Sequence, residues 1–483
     1  MSFALFHYQQ GSYMHKLATA IAAVIGSLAF ASAAQAATFI VTAKAHALDS
    51  KLAHRIEAAG GTITARLPQI GVAIVESDNP NFARNAGKIQ GVRSAVADVE
   101  LKYDIPEIAE VVVDPAYANP PNSGDNDAFF DFQWGHAAID AAGAWNAGYR
   151  GAGATVAVLD SGVYCAHLDI IPNLDTARSA SFVPGEGYCN TTGSTHGTHT
   201  MGTIGAADNG IGTIGVAPEA DLFAVKVLSA ISGSGSFAGI IQGIVYAADN
   251  GADVINMSLG VRGGLPVNGK GANEVAELVN ATARATRYAE AQNALVVTSA
   301  GNDGRDLDKD SGTEICDTDG CYRYNLRAFP AELPATLAIS ALGPEAWAYD
   351  RDNTPLDDRA SYTNYGQSAI DHSAPGGDFR YPGNENCTLA TNAGQNVTIP
   401  CWAWDMVLST TTAPANYSWS AGTSMAAPHV SGVAALIIGK HGGEMSPSAV
   451  KSILRASADD LGKSGTDDTH GSGRVNAGRA VDY

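Results

Sequence analysis

Thr155-Val156-Ala157-Val158-Leu159-Asp160-Ser161-Gly162 decides how this chain folds. Residues 155–159 are apolar or β-branched with no polar alternation. That pattern marks a strand covered on both faces, and such strands belong to parallel sheets. Asp160 then ends the strand, and Ser161-Gly162 supplies a turn. Runs of the same kind recur at Leu222–Leu228, Val254–Leu259, Ala294–Ser299 and Leu337–Ala341. Phe237, Ile240, Ile241, Ile244, Val245 and Ala248 have helical spacing between two of them, and Gly251 stops that helix. Strand-helix alternation with wholly apolar strands predicts an α/β fold, a mostly parallel sheet with helices on both faces.

Working outward, residues 37–104 read as a separate small unit. Strands are expected at Thr38–Thr42, Ala65–Leu67, Val72–Val75 and Val92–Val99, and helices at Leu48–Ala58 and Phe82–Ile89. The β-α-β-β-α-β order predicts a ferredoxin-like α+β fold. Residues 105–126, rich in Pro, Asn, Gly and Asp toward their end, read as a linker. The large domain takes 127–483. Within it, 303–328 and 378–416 read as polar, Cys-bearing inserted loops with little apolar surface of their own.

Residues 1–36 have the form of a secretory signal peptide. Lys16 precedes an Ala-rich apolar run over 17–34, and Ala34-Gln35-Ala36 is a small-x-small cleavage site. Met14-His15-Lys16 makes Met14 an alternative start. A transmembrane anchor is the rival reading, but the run is short and dominated by Ala. The chain is expected to be secreted, extracellular and free of the membrane after signal cleavage. All six cysteines lie in the large domain, and an even number in an exported chain predicts disulfides. Fifteen pairings are open. Nearest neighbours suggest Cys165 with Cys189, Cys316 with Cys321, and Cys387 with Cys401. A zinc site would need Cys-x-x-Cys or a Cys/His cluster, and neither occurs. The formal charge is −20, and all the excess acid lies beyond residue 105. Such a surface repels phosphates, so nucleic acid is excluded as a partner.

Four segments could carry chemistry. Asp160 faces the crevice at the C-terminal edge of the sheet, where α/β folds bind ligands, although a strand-ending Asp is often only a turn residue. His196-Gly197-Thr198-His199 could be a metal pair, a core histidine or a base, and it lacks the Glu of a zinc-protease motif. Asn302 ends the strand Ala294–Ser299 and offers an amide donor to a developing oxyanion. Gly422-Thr423-Ser424-Met425-Ala426-Ala427-Pro428-His429-Val430 leads small residues into a helix, with Ser424 at its start. Ser424 is either a cap or a nucleophile whose own N–H helps hold an oxyanion. Acyl transfer needs a nucleophile, a base, a group to orient the base and oxyanion donors. Ser424, His196, Asp160 and Asn302 supply one of each.

These segments resemble the subtilisin-like serine endopeptidases, the subtilases. The resemblance runs through Ala157–Gly162, His196–Thr203, Gly215–Pro218, Asn256–Gly260, Ser299–Asn302 and Gly422–Gly432. The chain order Asp, His, Ser is that of subtilisin. The resemblance implies a three-layer subtilisin-like fold, proteins and peptides as substrates, His196 rather than His199 as base, and no cofactor for catalysis. It implies that 37–104 is an inhibitory propeptide, a partner the zymogen removes from itself. It makes Ser258-Leu259-Gly260 an edge for extended substrate and Gly301 part of the specificity pocket. It implies a structural calcium site at Asp127, Asp169 and Asn209, whose oxygen ligands suit that ion. A monomer is expected. Two other classes share these residues. A peptide-binding pseudoprotease would have lost a triad member, and none is missing. A peptide ligase would pass the acyl group to an amine, and mass spectrometry of products from a defined peptide separates the three.

Overall fold

The structure, a computed structural model, describes residues 36–103, 108–111, 125–269, 271–309, 312–317, 320–391 and 396–483. The expected signal peptide, with Lys16 and the Met14 start, and most of the expected linker lie outside the described residues.

Thr155–Asp160 forms the expected strand, fifth in a sheet of seven. The order across the sheet is His372–Pro375, Thr336–Leu342, Leu295–Ser299, Val254–Met257, Thr155–Asp160, Asp221–Lys226 and Ala180–Ser181, and every pairing is parallel. The missing alternation now has its cause. Val156 and Val158 join a core on one face, with Met201, Ile204 and the long run Ala426–Ile438. Ala157 and Leu159 join a second core on the other face, with helices Phe237–Asp249 and Ala272–Ala291. The strands His372–Pro375 and Ala180–Ser181 and the helix Ala272–Ala291 carried no strong sequence signal. The helix mixes charged residues with Ala, and besides Val275, Leu278, Val279 and small residues it buries Arg284, which donates to Ala45 O and Ile70 O.

Residues 37–97 form a four-stranded antiparallel sheet with two helices, in the expected element order. The strands lie in the order Thr62–Leu67, Val72–Ser77, Ala37–Ala43, Val92–Ala97. Val41, Ala73 and Val75 pack on the unit's own helices through Leu52, Ile56 and Phe82. Ile40, Val72 and Ile74, from the opposite face, enter the second core of the large domain. Asp98 completes the seam. Its partly buried carboxylate accepts from Ala238 N (3.1 Å) at the start of helix Phe237–Asp249, beside that helix's own cap, Ser236. The chain continues as Glu100–Lys102, antiparallel to Ser234–Ser236, and Tyr103 bridges to Val261.

Two expectations change. The linker proposed over 105–126 contains a strand, Ile108–Val111, which pairs with Tyr417–Ser420 in a three-stranded sheet. The insertion 378–416 is not poor in apolar surface. Its hairpin, Asn386–Ala390 with Asn396–Pro400, feeds Cys387, Val397, Ile399, Cys401, Trp404 and Met406 into a core shared with Phe129, Phe132 and Trp419. Disulfides join Cys165 to Cys189 and Cys387 to Cys401. In the other insertion the hairpin pairs Cys316 with Cys321, and Cys321 is disulfide-bonded. The side chain of Cys316 lies outside the described residues.

Cross-linking Cys387 to Cys401 closes a loop of 14 residues, for which the chain-entropy account gives about 3 kcal/mol. Replacing both by Ser in a Ser424→Ala background should lower stability by about that amount. Urea unfolding followed by tryptophan fluorescence reads it, since Trp404 Nε1 donates to Cys387 O (3.3 Å). An unchanged midpoint would show that the apolar core alone holds the insertion.

Candidate active site

The site lies at the C-terminal edge of the sheet. Asp160, 1% exposed, stands at the end of its strand. Its Oδ1 accepts from Ser161 N (2.6 Å), and Thr200 Oγ1 donates to Oδ2 (3.3 Å). His196 opens the helix His196–Gly205, and its Nδ1 lies 2.8 and 3.0 Å from the two carboxylate oxygens. A carboxylate only accepts, so Nδ1 carries the hydrogen and Nε2 is left as the basic nitrogen. Nε2 is buried and makes no hydrogen bond. Gly197 lets the helix sit this close, because a Cβ there would lie 2.1 Å from Gly162 O.

Lys226 braces the same corner from the neighbouring strand, in register with Asp160. Fully buried, it donates to Ser161 O and to Asn190 O, and it pairs with Glu186 at 3.0 Å. Cys165–Cys189 ties down the loop that carries Glu186 and Asn190. The only sequence signal for Lys226 was a cation inside an apolar run.

Ser424, in the first turn of helix Thr423–Lys440, donates its hydroxyl to Ser258 O (3.1 Å). Asn302 Oδ1 accepts from both Thr423 N (2.9 Å) and Thr423 Oγ1 (2.8 Å), which fixes the amide plane, and Thr423 Oγ1 accepts from Gly301 N. Ser424, Asn302, Gly301, Gly260, Val261, Arg262, Asp303 and Thr423 line one pocket. Gly260 and Gly301 face each other across it; a Cβ on Gly260 would meet Gly301 Cα at 3.8 Å. Leu259, from the same proposed edge, is buried in the second core.

Residues 151–473 match the family described as "Subtilase family". The chain belongs to the subtilase family. Subtilisin DY of Bacillus licheniformis is 34% identical over 66% of this chain and 88% of its own length. Subtilisin Savinase of Lederbergia lenta is 35% identical over 72% of this chain and 98% of its own. Among solved structures, the epidermin leader peptide processing serine protease of Staphylococcus aureus superposes with a TM-score of 0.66 at 19% identity, covering 93% of this chain and 98% of that one. Fervidolysin from Fervidobacterium pennivorans gives 0.64 at 22% identity, over 94% and 62%. These two share the fold. The chain is a serine endopeptidase.

The second histidine of the motif, His199, is structural in this subtilase. His199 does not share a ligand with His196. Its Nε2 lies 3.1 Å from both Val407 O and Ser418 O, so it must donate to them, clamping the helix to the hairpin that precedes Ser424. The expected metal residues lie elsewhere. Asp127 and Asp169 are both buried. Asn209 N reaches Asp127 Oδ1 (3.4 Å), and Asn209 Nδ2 reaches Asp169 Oδ1 (3.3 Å). Sequence reasoning missed Asp125, whose carboxylate comes within 4.8 Å of those of Asp127 and Asp208. Burial, then Asp125, pushes Asp127 up to about 9, and burial pushes Asp169 up to about 7. Crowded carboxylates of this kind fit a hard cation.

Burial also depresses several histidines, among them His199 to about 3, with His196 adding to the effect, and His372 and His429 to about 4. Each is neutral in the fold and takes up a proton on unfolding below 6.5. The unfolded chain then binds more protons, so this contribution is complete above pH 6.5 and is lost as pH falls toward 4. His199→Asn removes one such proton site. Its unfolding free energy should therefore fall less steeply between pH 6.5 and 4 than that of the parent, measured by urea titration in the Ser424→Ala background. Parallel slopes would remove His199 from the acid response.

Proposed function

We propose that this subtilase is a secreted endopeptidase made as a self-processing zymogen, with Ser424 as nucleophile, His196 as general base and Asp160 as the group that orients the base. The buried Asp160–His196 pair, its outer nitrogen unengaged, is the observation that carries the reading. When substrate enters, the Ser424 hydroxyl exchanges Ser258 O for His196 Nε2 and attacks the scissile carbonyl. The proton moves to Nε2, and Asp160 stabilises the imidazolium. The oxyanion takes hydrogen bonds from Ser424 N and from the Asn302 amide nitrogen, whose plane Thr423 holds ready. Collapse expels the amine with the proton from His196, and water repeats the sequence on the ester. Ser258, Leu259, Gly260 and Gly301 border the path of the substrate chain. No cofactor enters these steps.

Residues 37–104 serve as the inhibitory propeptide. The apolar seam with helices Phe237–Asp249 and Ala272–Ala291, and the strand Glu100–Lys102 leading to Tyr103, which bridges to Val261 of the pocket, support this role. Export fits the signal pattern of residues 1–36 and the disulfides. No helix among the described residues is long and apolar enough to cross a membrane.

Ser424→Ala should remain unprocessed and leave casein intact; maturation and digestion at the parent rate would end this assignment. Asn302→Ala should lose about 10²–10³ in kcat with little change in KM, the range known for removing one such donor from a subtilisin. A change confined to KM would take Asn302 out of the oxyanion hole.

Calcium is the cation proposed at Asp125, Asp127, Asp208, Asp169 and Asn209, with a structural role. A calcium chelator should lower the melting temperature of the Ser424→Ala protein, and calcium should restore it better than magnesium, which dehydrates reluctantly. A melting temperature indifferent to chelator would count against the site.

A further inference from the structure

Lys226 is a cation sealed inside an apolar strand, and its polar contacts gather around the turn after Asp160. An ammonium has three hydrogens to give. Nζ gives them to Ser161 O, to Asn190 O (3.2 Å) and to Glu186 Oε2 (3.0 Å). Ser161 follows Asp160 and joins it to the rest of the site. Its N–H donates to Asp160 Oδ1 (2.6 Å), and its Oγ accepts from Gly197 N (3.1 Å), next to His196. Val227 N (2.9 Å) and Leu228 N (3.2 Å) donate to Asp160 O. The peptide planes on either side of Ser161 are thus both fixed from the strand Asp221–Lys226 and its exit. Backbone N–H groups hold one, and the ammonium holds the other.

We infer that Lys226 and Glu186 are a positioning pair for the catalytic aspartate: Lys226 aims the Asp160 carboxylate through Ser161, its positive charge offsets part of the Asp160 charge that the imidazolium feels, and Glu186 sets the strength of that offset. The inference rests on the triad reading and deepens it. Glu186 sits on the loop tied by Cys165–Cys189 and accepts from Ser229 Oγ (2.5 Å) and Ala230 N (3.0 Å). Burial works against its charge, but the hydrogen bonds from Ser229, Lys226 and Ala230 outweigh burial and hold the carboxyl below its ordinary range. Burial pulls Lys226 below the ordinary lysine value, resisted by Glu186 and then by Asp160. Glu186, from the loop, and Asp160, from the neighbouring strand, are the charged groups that face Nζ among the described residues; His199, on the helix beside them, is neutral. Buried charges are screened little by salt, so each is felt at the imidazole. Lys226 is the nearer of the pair, because Nζ touches Ser161 O while Glu186 turns to Ser229 and Ala230.

The test compares the mature parent, Glu186→Gln, and Lys226→Met combined with Glu186→Gln, on one internally quenched peptide across pH. The combined replacement leaves no buried charge unmatched, so that protein should fold, as urea unfolding in the Ser424→Ala background checks. A nearby positive charge disfavours the imidazolium and a negative one favours it. The acid limb of kcat/KM should therefore move to lower pH in Glu186→Gln and to higher pH in the double variant, each by about half a pH unit. The double variant should also lose about tenfold or more in kcat with KM nearly unchanged, because Asp160 is less well aimed. Limbs that stay at the parent's pH, or move in one direction, would overturn the inference. A loss of kcat without such movement would reduce Lys226 to a structural brace. Proton NMR of the Ser424→Ala chains reads the pair without activity. The hydrogen that His196 Nδ1 shares with a buried carboxylate resonates far downfield, and the double replacement should shift or broaden it; an unaltered resonance refutes the inference. If the parent cuts no peptide while that resonance responds, the endopeptidase reading falls and the positioning pair stands.

Discussion

A carboxylate almost sealed from water is the constraint around which this molecule is arranged. Asp160 needs donors on every side, and it has them in Ser161 N, Thr200 Oγ1 and the His196 ring. Each donor belongs to a different piece of local structure: the turn after the strand, the second turn of the helix and that helix's first residue. Moving any of them leaves a buried charge undersatisfied, a far larger cost than losing an ordinary surface contact. The Lys226–Glu186 pair, the Cys165–Cys189 tie and the close approach at Gly197 are intelligible as means of holding those pieces in register.

The fold was legible where burial is two-sided. Val156-Ala157-Val158-Leu159 sends alternate side chains into two different cores, so both parities had to be apolar and the run announced itself. The short edge strand Ala180–Ser181 and the helix Ala272–Ala291 were not legible, because their burial depends on neighbours far away in sequence. Ile108–Val111 shows the same limit most plainly. Four residues beside a Pro- and Asn-rich tract read as linker, and only the waiting edge of Tyr417–Ser420 makes them a strand.

The site was legible through residues whose chemistry leaves a local mark. Asp160 and Asn302 each end an apolar strand, and Ser424 opens a helix. Their partners left none. Thr200 and Thr423 are ordinary threonines until the aspartate and asparagine they steady are placed beside them. Asp125 gave no signal of its own, since an acidic residue in a polar tract is commonplace and only proximity to Asp127 and Asp208 distinguishes it.

Asp98, which links the N-terminal unit to the start of helix Phe237–Asp249, makes the strength of that link depend on pH. Burial lifts its carboxyl from 3.8 to about 6, against the pull of the backbone amides that it accepts from. The joined state therefore holds this proton more tightly than the parted one. Between pH 4 and 6 acid favours the joined state, and as pH rises through that window the seam must carry a charge that water would solvate better. The contact between the N-terminal unit and helix Phe237–Asp249 is therefore favoured by mild acid and weakened by the Asp98 charge at neutral pH.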